Sequence, residues 1–399
     1  MTTAVLSSAA TSAKGQSWPR FDEDEIAAVV EVLRSGKVNQ WTGGKVKAFQ
    51  QQFAARMGGG RGIAVANGSL ALELALRAFG IGPGDEVIVT PRSFIASASC
   101  VLLVGATPIF ADVDRDNGNI TAETIAARLT PRTRAVIPVH LAGWPCDMPA
   151  IMALAKKRGI LVIEDCAQSH GAEIAGRPAG SFGDAAAFSF CQDKIMTTGG
   201  EGGFVIFRDE VIWEKAWSFK DHGKGWREVN SPPKQPGFRW LHESFGTNWR
   251  MTEMQAAIGL KQLEKLDGWR EARTRNADIY RRALACLSAI RAPRPTADIR
   301  HAFYKYYVYV RPNALKSGAT RDTLLSILSD RGLRAFSGSC SEIYKERAFS
   351  GLEIEPCPIA RELGETSLMF EVHPTLEPAH VERCANAVAD IVAGLGQQS

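Results

Sequence analysis

From about residue 63 the chain alternates short runs rich in Val and Ile with longer stretches whose apolar residues recur every three or four positions. GIAVA passes through Asn67-Gly68-Ser69 into LALELALRAFG, a pattern that predicts a strand and then a helix capped by a polar residue and stopped by Gly80. DEVIVT, PIFADVD, TRAVIPVH and ILVIEDC repeat the strand pattern, with a small-residue helix after PRSF and another helix opening at Asp147. Strands this continuously apolar, separated by helices, predict a parallel sheet buried on both faces.

The regular alternation breaks after Asp165. AAAFSF and GGFVIF are both strand-like, but the turn around Lys194 is too short for a helical crossover, so a hairpin-like excursion is expected. The polar, Trp-rich stretch from Asp221 to Asn248 has weak periodicity and several Gly and Pro residues, and predicts a long loop. MTEMQAAIGLKQLEKLDGWREARTRNADIYRRALACL then carries a helical period over many turns. Beyond it come an aromatic strand (FYKYYVYV), a helix from near Arg321, a strand near LMFEVHP and a C-terminal amphipathic helix. The reading is a disordered tail over residues 1–16, a large domain over 17–265 and a small α+β domain over 266–399.

Composition narrows the class without naming a chemistry. A chain of 399 residues with 45% hydrophobic and 23% charged residues has an ordinary globular balance, and its length suits two domains. The net charge of +4, with no dense basic run, argues against nucleic acid. Eight scattered cysteines without a C-x-x-C pair suggest reduced thiols rather than a disulfide frame or a zinc site, and so a cytoplasmic protein. The first sixteen residues lack the apolar core of a signal peptide, and no apolar run reaches the ~18 residues that would span a bilayer.

The chemistry concentrates between Ile163 and Gly203. Asp165 closes an apolar strand, where ligands gather in open α/β sheets; it suits a protonated ring nitrogen, or else a helix N-cap. Its neighbour Glu164 points the other way along the strand and reads as structural. Gln168 can donate its amide to a phenolate oxygen. Ser189 ends a second strand, and Lys194 follows in a turn of small residues, where desolvation and a nearby cation would make it nucleophilic. An acid, a hydroxyl and an amine so placed match the ring nitrogen, phosphate and aldehyde of pyridoxal 5′-phosphate. Gly68 and Ser69 open a helix directly after a strand, which suits a phosphate or simply a capped helix. The chain has no Walker loop, and GGGRG at 58–62 lacks dinucleotide spacing. Phe94 either stacks on the ring or packs in the core; His140 and His222 are further pocket candidates.

Taken in order, NGSLALELAL, GDEVIVTPRSF, GATPIFADVD, PRTRAVIPVHLAG, VIEDCAQSHGA, GSFGDAAAFSFCQDK, GGEGG, GTNWRMTEMQAAIG and the HP of FEVHP resemble the DegT/DnrJ/EryC1/StrS family of pyridoxal-phosphate-dependent sugar aminotransferases. The resemblance covers nearly the whole chain after residue 16. It implies an aspartate-aminotransferase-type α/β fold, with a mostly parallel sheet in the large domain and a small C-terminal α+β domain. It also implies a Schiff-base lysine at Lys194, Asp165 on the pyridinium nitrogen, Gln168 on O3′ and Phe94 against the ring. Gly68, Ser69 and Ser189 would take the phosphate, joined by Asn248 from a second subunit, so a homodimer is implied. The loop around His222 would shape a nucleotide-sugar pocket, and the reaction would move an amino group from an amino acid, L-glutamate, to a keto-sugar. The alternatives are a sugar dehydratase, whose members carry His where Lys194 stands, and a non-catalytic regulatory protein. Two segments depart from the family pattern: Phe370-Glu371 replaces Leu-Pro, and Ser337–Tyr344 (SGSCSEIY) is an uncommon variant.

Overall fold

The computed structural model describes residues 17–232 and 237–396, so the expected tail at 1–16 lies outside the described residues. Seven strands form the central sheet: β1 (Arg61–Val65), β2 (Glu86–Val89), β3 (Thr107–Phe110), β4 (Thr133–Ile137), β5 (Leu161–Asp165), β6 (Ala185–Ser189) and β7 (Gly203–Phe207). Their order is β1-β7-β6-β5-β4-β2-β3. All run parallel except β7, which is antiparallel to both its neighbours. The excursion expected between AAAFSF and GGFVIF is therefore an antiparallel pair, with Ser189 opposite Gly203. Every residue of β2, β6 and β7 is buried, as strands covered on both faces require.

Helix Gly68–Ala78 follows β1. Asn67 caps it, its Oδ1 accepting the Leu70 N–H at 3.0 Å, and Gly80 leaves it in a left-handed conformation (φ +70°). The long helix Glu253–Leu284 begins at a capping box formed by Thr252 and Gln255. Residue 266, where the small domain was expected to begin, lies inside this unbroken helix. Leu266 packs in the cluster of Phe49, Phe53 and Phe190, whereas Leu284 belongs to a cluster with Val308, Phe370 and Val392.

A three-stranded antiparallel sheet (Ile290–Arg291, Tyr306–Val310, Ser367–Phe370) carries that second cluster, covered by helices Arg321–Asp330 and Pro378–Leu395. C-terminal residues also return to the large sheet: Ile343, Phe349 and Leu363 pack in its main core, and the Tyr344 and Phe349 rings lie 5.3 and 5.9 Å from that of Phe110.

The described residues of 221–248 are mostly without helix or strand, as expected of a loop. Its two ends are laced by main-chain bonds: His222 N to Thr247 O (3.0 Å), Thr247 N to Phe219 O (2.8 Å), Gly225 N to Leu241 O (2.8 Å) and Glu243 N to Gly223 O (2.8 Å). A short helix, Trp226–Asn230, sits within it. Backbone pairing of this kind leaves no hydrophobic period, which is why the side-chain pattern read as irregular.

Candidate active site

The C-terminal ends of β5 and β6 and the start of helix Gly68–Ala78 meet at one edge of the sheet. Asp165 ends β5 and is buried. Its Oδ2 accepts the Ser97 hydroxyl at 2.8 Å and its Oδ1 the Ala167 N–H at 3.1 Å. No helix follows, so the N-cap alternative fails. Among the described residues no cation lies within ion-pairing distance of this carboxylate. Burial raises its pKa above the ordinary aspartate value, against the Ser97 and Ala167 hydrogen bonds and the charge of Lys194.

Gln168 is buried, and its Oε1 accepts the Ala142 N–H at 2.8 Å, leaving the amide nitrogen to donate. Ser189 ends β6 and accepts the Cys191 N–H on Oγ at 3.3 Å. A Cβ on Gly68 would lie 2.6 Å from the Ser189 Cβ and 3.0 Å from its Oγ, so only glycine lets the helix start reach Ser189 this closely. Because Asn67 takes the Leu70 N–H, the amides of Gly68 and Ser69 remain at the open, electropositive end of the helix.

Lys194 is partly buried, with Nζ 4.0 Å from Asp193 Oδ1 and 5.0 Å from the Tyr304 ring centre. Tyr304 in turn hydrogen-bonds Asp193. The Lys194 backbone is held by Trp18, whose indole N–H donates to the Lys194 carbonyl at 2.8 Å. Trp18 packs edge-on against Trp269, stacks with His373 and carries the Arg273 guanidinium 5.0 Å above its ring, while Thr375 Oγ1 donates to the Ser17 carbonyl at 3.1 Å.

The remaining candidates separate. Phe94 is 68% exposed, which removes the core-packing alternative. Asn248 is exposed, its backbone bridged to Asp221; the next residue, Trp249, accepts the Ala66 N–H at 3.0 Å, beside the end of β1. His222 is exposed, with a left-handed φ of +63°. His140 is fully buried: Nδ1 accepts the Cys146 N–H at 3.0 Å, so Nε2 carries the hydrogen that points to Glu164 at 3.1 Å. Glu164 also accepts the amides of Gly180, Phe182 and Gly183, so the pair is structural, as the strand alternation implied for Glu164. Sequence reasoning missed Ser97, Trp18 and Tyr304. Ser97 lay in an undistinguished small-residue helix, and Trp18 is 176 positions from the lysine it touches.

The match to the DegT/DnrJ/EryC1/StrS aminotransferase family spans residues 19–389. The chain belongs to that family. It is 36% identical over 382 residues to the spore coat polysaccharide biosynthesis protein SpsC of Bacillus subtilis, covering 95% of this chain and 97% of that one. It is also 36% identical to the UDP-N-acetyl-3-dehydro-alpha-D-glucosamine 3-aminotransferase of Acidithiobacillus ferrooxidans, over 88% of this chain and 90% of that one. Among solved structures, the aminotransferase from Psychrobacter cryohalolentis superposes with a TM-score of 0.93 at 51% identity, over 95% of this chain and 99% of that one. As a member of the DegT/DnrJ/EryC1/StrS family the protein is a transaminase with the aspartate-aminotransferase-type fold, and its cofactor is pyridoxal 5′-phosphate. The site fits that group. A buried carboxylate without a cation suits a protonated ring nitrogen, a helix start narrowed by Gly68 and Ser189 suits a phosphate, and Lys194 lies on the turn that follows Ser189.

Proposed function

We propose that the protein transfers an amino group from L-glutamate to a keto-sugar carried on a nucleotide, in the making of a surface polysaccharide. What supports this is Asp165 at the end of β5 with Gln168 on the turn after it, and Ser189 at the end of β6, against Gly68, with Lys194 on the turn that follows. Support for the substrate class comes from the relatives' printed roles in UDP-sugar amination and in polysaccharide synthesis. Bound at this site, pyridoxal phosphate supplies an aldehyde and an electron-withdrawing ring. Lys194 Nζ would hold the group through its aldehyde and would be the base placed to take the α-proton of the amino acid. Asp165, oriented by Ser97, would keep the ring nitrogen protonated. Gln168 would donate to the ring oxygen, and Phe94 would lie against the ring. The Gly68 and Ser69 amides and the Ser189 hydroxyl would bind the phosphate.

The reading includes a homodimer in which Asn248 reaches the partner's phosphate. The strongly exposed Phe94, Phe238, Trp240 and Phe245 are apolar surface that such a contact would cover. It also places the protein in the cytoplasm, consistent with eight free thiols. The test is a two-stage assay. L-Glutamate alone should bleach the visible absorbance of the holoenzyme and release 2-oxoglutarate, and UDP-, GDP- or dTDP-linked keto-sugars should then restore it. Lys194→Ala should abolish the absorbance trapped by borohydride and lower turnover at least about 10⁴-fold; a variant that still turns over would refute the assignment.

A further inference from the structure

Arg92 lies in the loop that joins β2 to the Phe94 turn, and it is fully buried. Its Nη1 donates to Ser341 Oγ at 2.6 Å, and its Cζ lies 5.4 and 5.8 Å from the ring centres of Tyr307 and Tyr309. Nε and Nη2 are buried with no hydrogen-bond partner. No carboxylate among the described residues pairs with the guanidinium. An arginine stays charged at any working pH, and a buried charge without a counter-ion is costly. The faces of two tyrosines offset part of that cost. Nε and Nη2, along one edge of the guanidinium, are left without a polar partner.

That edge has a shape. Nε–H and the neighbouring Nη2–H point the same way and form the fork that receives both oxygens of one carboxylate. Three features tie it to the catalytic site. Tyr307 and Tyr309 line a cavity together with Leu141, Ala142 and Lys305, and Ala142 is the residue whose amide holds Gln168. Ser93, the next residue after Arg92, hydrogen-bonds Ser97 at 2.9 Å, and Ser97 holds Asp165. Ser341 belongs to the uncommon segment 337–344, which is seated on the Tyr307 hydroxyl: Ser339 N donates to it at 2.8 Å. The second departure also bears on this cavity, because Glu371 pairs with the cavity-lining Lys305 at 3.5 Å and with Arg334 at 3.0 Å.

We infer that Arg92, backed by Ser341 and the Tyr307–Tyr309 wall, is the receptor for a carboxylate group of one of the two substrates. The inference rests on the aminotransferase reading and narrows its substrate class to one in which the carboxylate reaches this fork. The carboxylate belongs either to the amino-acid donor or to an acidic keto-sugar, and the two sources are separable by experiment.

The holoenzyme would be prepared as wild type, Arg92→Met and Arg92→Lys. Succinate, with uncharged succinamide as control, serves as the probe in thermal unfolding; the two half-reactions are then followed by the cofactor absorbance, using L-glutamate, a neutral nucleotide-linked keto-sugar and its uronic-acid counterpart. Succinate should raise the melting temperature of wild type and not of Arg92→Met, with Arg92→Lys between them. Without probe, Arg92→Met should melt at or above wild type, because an unpaired buried charge has been replaced by an apolar side chain; a purely structural arginine would give the opposite. The apparent affinity should fall about 10- to 100-fold for L-glutamate if the donor supplies the carboxylate, or for the uronic acid alone if the acceptor does. Equal succinate responses in wild type and Arg92→Met, or unchanged affinities in both half-reactions, would overturn the inference. If Arg92→Met does not fold, Arg92→Lys carries the same comparison, since it keeps the charge and loses the fork. A wild-type holoenzyme that responds to succinate through Arg92 but never reacts with an amino acid would sink the parent reading and leave the carboxylate site standing.

Discussion

Glu164 and Asp165 are adjacent buried acids at the end of β5, and their replacement by the amide should produce opposite defects. Glu164 accepts four hydrogen bonds: Gly180 N–H (2.8 Å) and His140 Nε2–H (3.1 Å) on Oε2, Phe182 N–H (2.8 Å) and Gly183 N–H (2.7 Å) on Oε1. Whichever way the amide of Glu164→Gln is set, its NH2 faces two of these donors, and none can turn into an acceptor. Two buried donors left unmade cost about 1–3 kcal/mol each, or roughly 2–6 kcal/mol together. With an unfolding entropy of about 2 cal/mol/K per residue, a chain of this size loses roughly 1 °C of melting temperature per kcal/mol, so a fall of about 2–7 °C is expected. Acid should narrow the gap. Burial works to raise the Glu164 pKa, but the His140 hydrogen bond and the amides of Gly183 and Gly180 hold it below the ordinary value. Its contribution is therefore complete above the unfolded glutamate pKa and disappears as pH falls through the depressed folded value. Asp165→Asn meets a more forgiving surround: the Ala167 N–H keeps an oxygen, and the Ser97 hydroxyl can turn to accept from the new NH2. That variant should melt within about 2 °C of wild type and lose more than about 100-fold in turnover. Differential scanning calorimetry of both apoproteins, beside the glutamate half-reaction, reads both effects. A Glu164→Gln protein as stable as wild type, or an Asp165→Asn protein less stable than it, would refute the division of labour.

The Gly68→Ala methyl must displace Ser189 on the buried β6, so cofactor affinity should drop at least about tenfold in a titration of apoprotein with pyridoxal phosphate, and the melting temperature should fall by about 1–4 °C. Burial pushes His170, His301 and His373 each down to about 3. The unfolded chain then binds up to three more protons than the folded one between the ordinary histidine pKa and that value. Stability should accordingly be full above about pH 6.5 and decline steadily towards pH 4, at a slope of up to about 4 kcal/mol per pH unit; urea unfolding that is flat over this range would contradict it.

The sheet and the elements that carry the proposed cofactor residues were readable because their signals are local. The Val- and Ile-rich runs, the Asn67 cap and the spacing from Asp165 to Lys194 each fall within one element or one turn. What stayed hidden depends on distant partners. An apolar strand end cannot say whether Asp165 caps a helix, and only the absence of a following helix decides it. The pairing across 221–248 runs through main-chain groups that every residue possesses. The return of Ile343, Phe349 and Leu363 to the large core, and the burial of Arg92 without a counter-ion, arise from contacts between segments hundreds of positions apart.

The indole of Trp18 also sets an order of events during synthesis. It braces the Lys194 turn from residue 18, while its own surround is drawn from Trp269, Arg273 and His373, and Thr375 holds the neighbouring Ser17 carbonyl. A nascent chain that has already exposed β1 to β7 therefore still lacks the clamp on its lysine. The Lys194 turn gains this clamp only once the segment holding His373 and Thr375 has folded against residues 17 and 18.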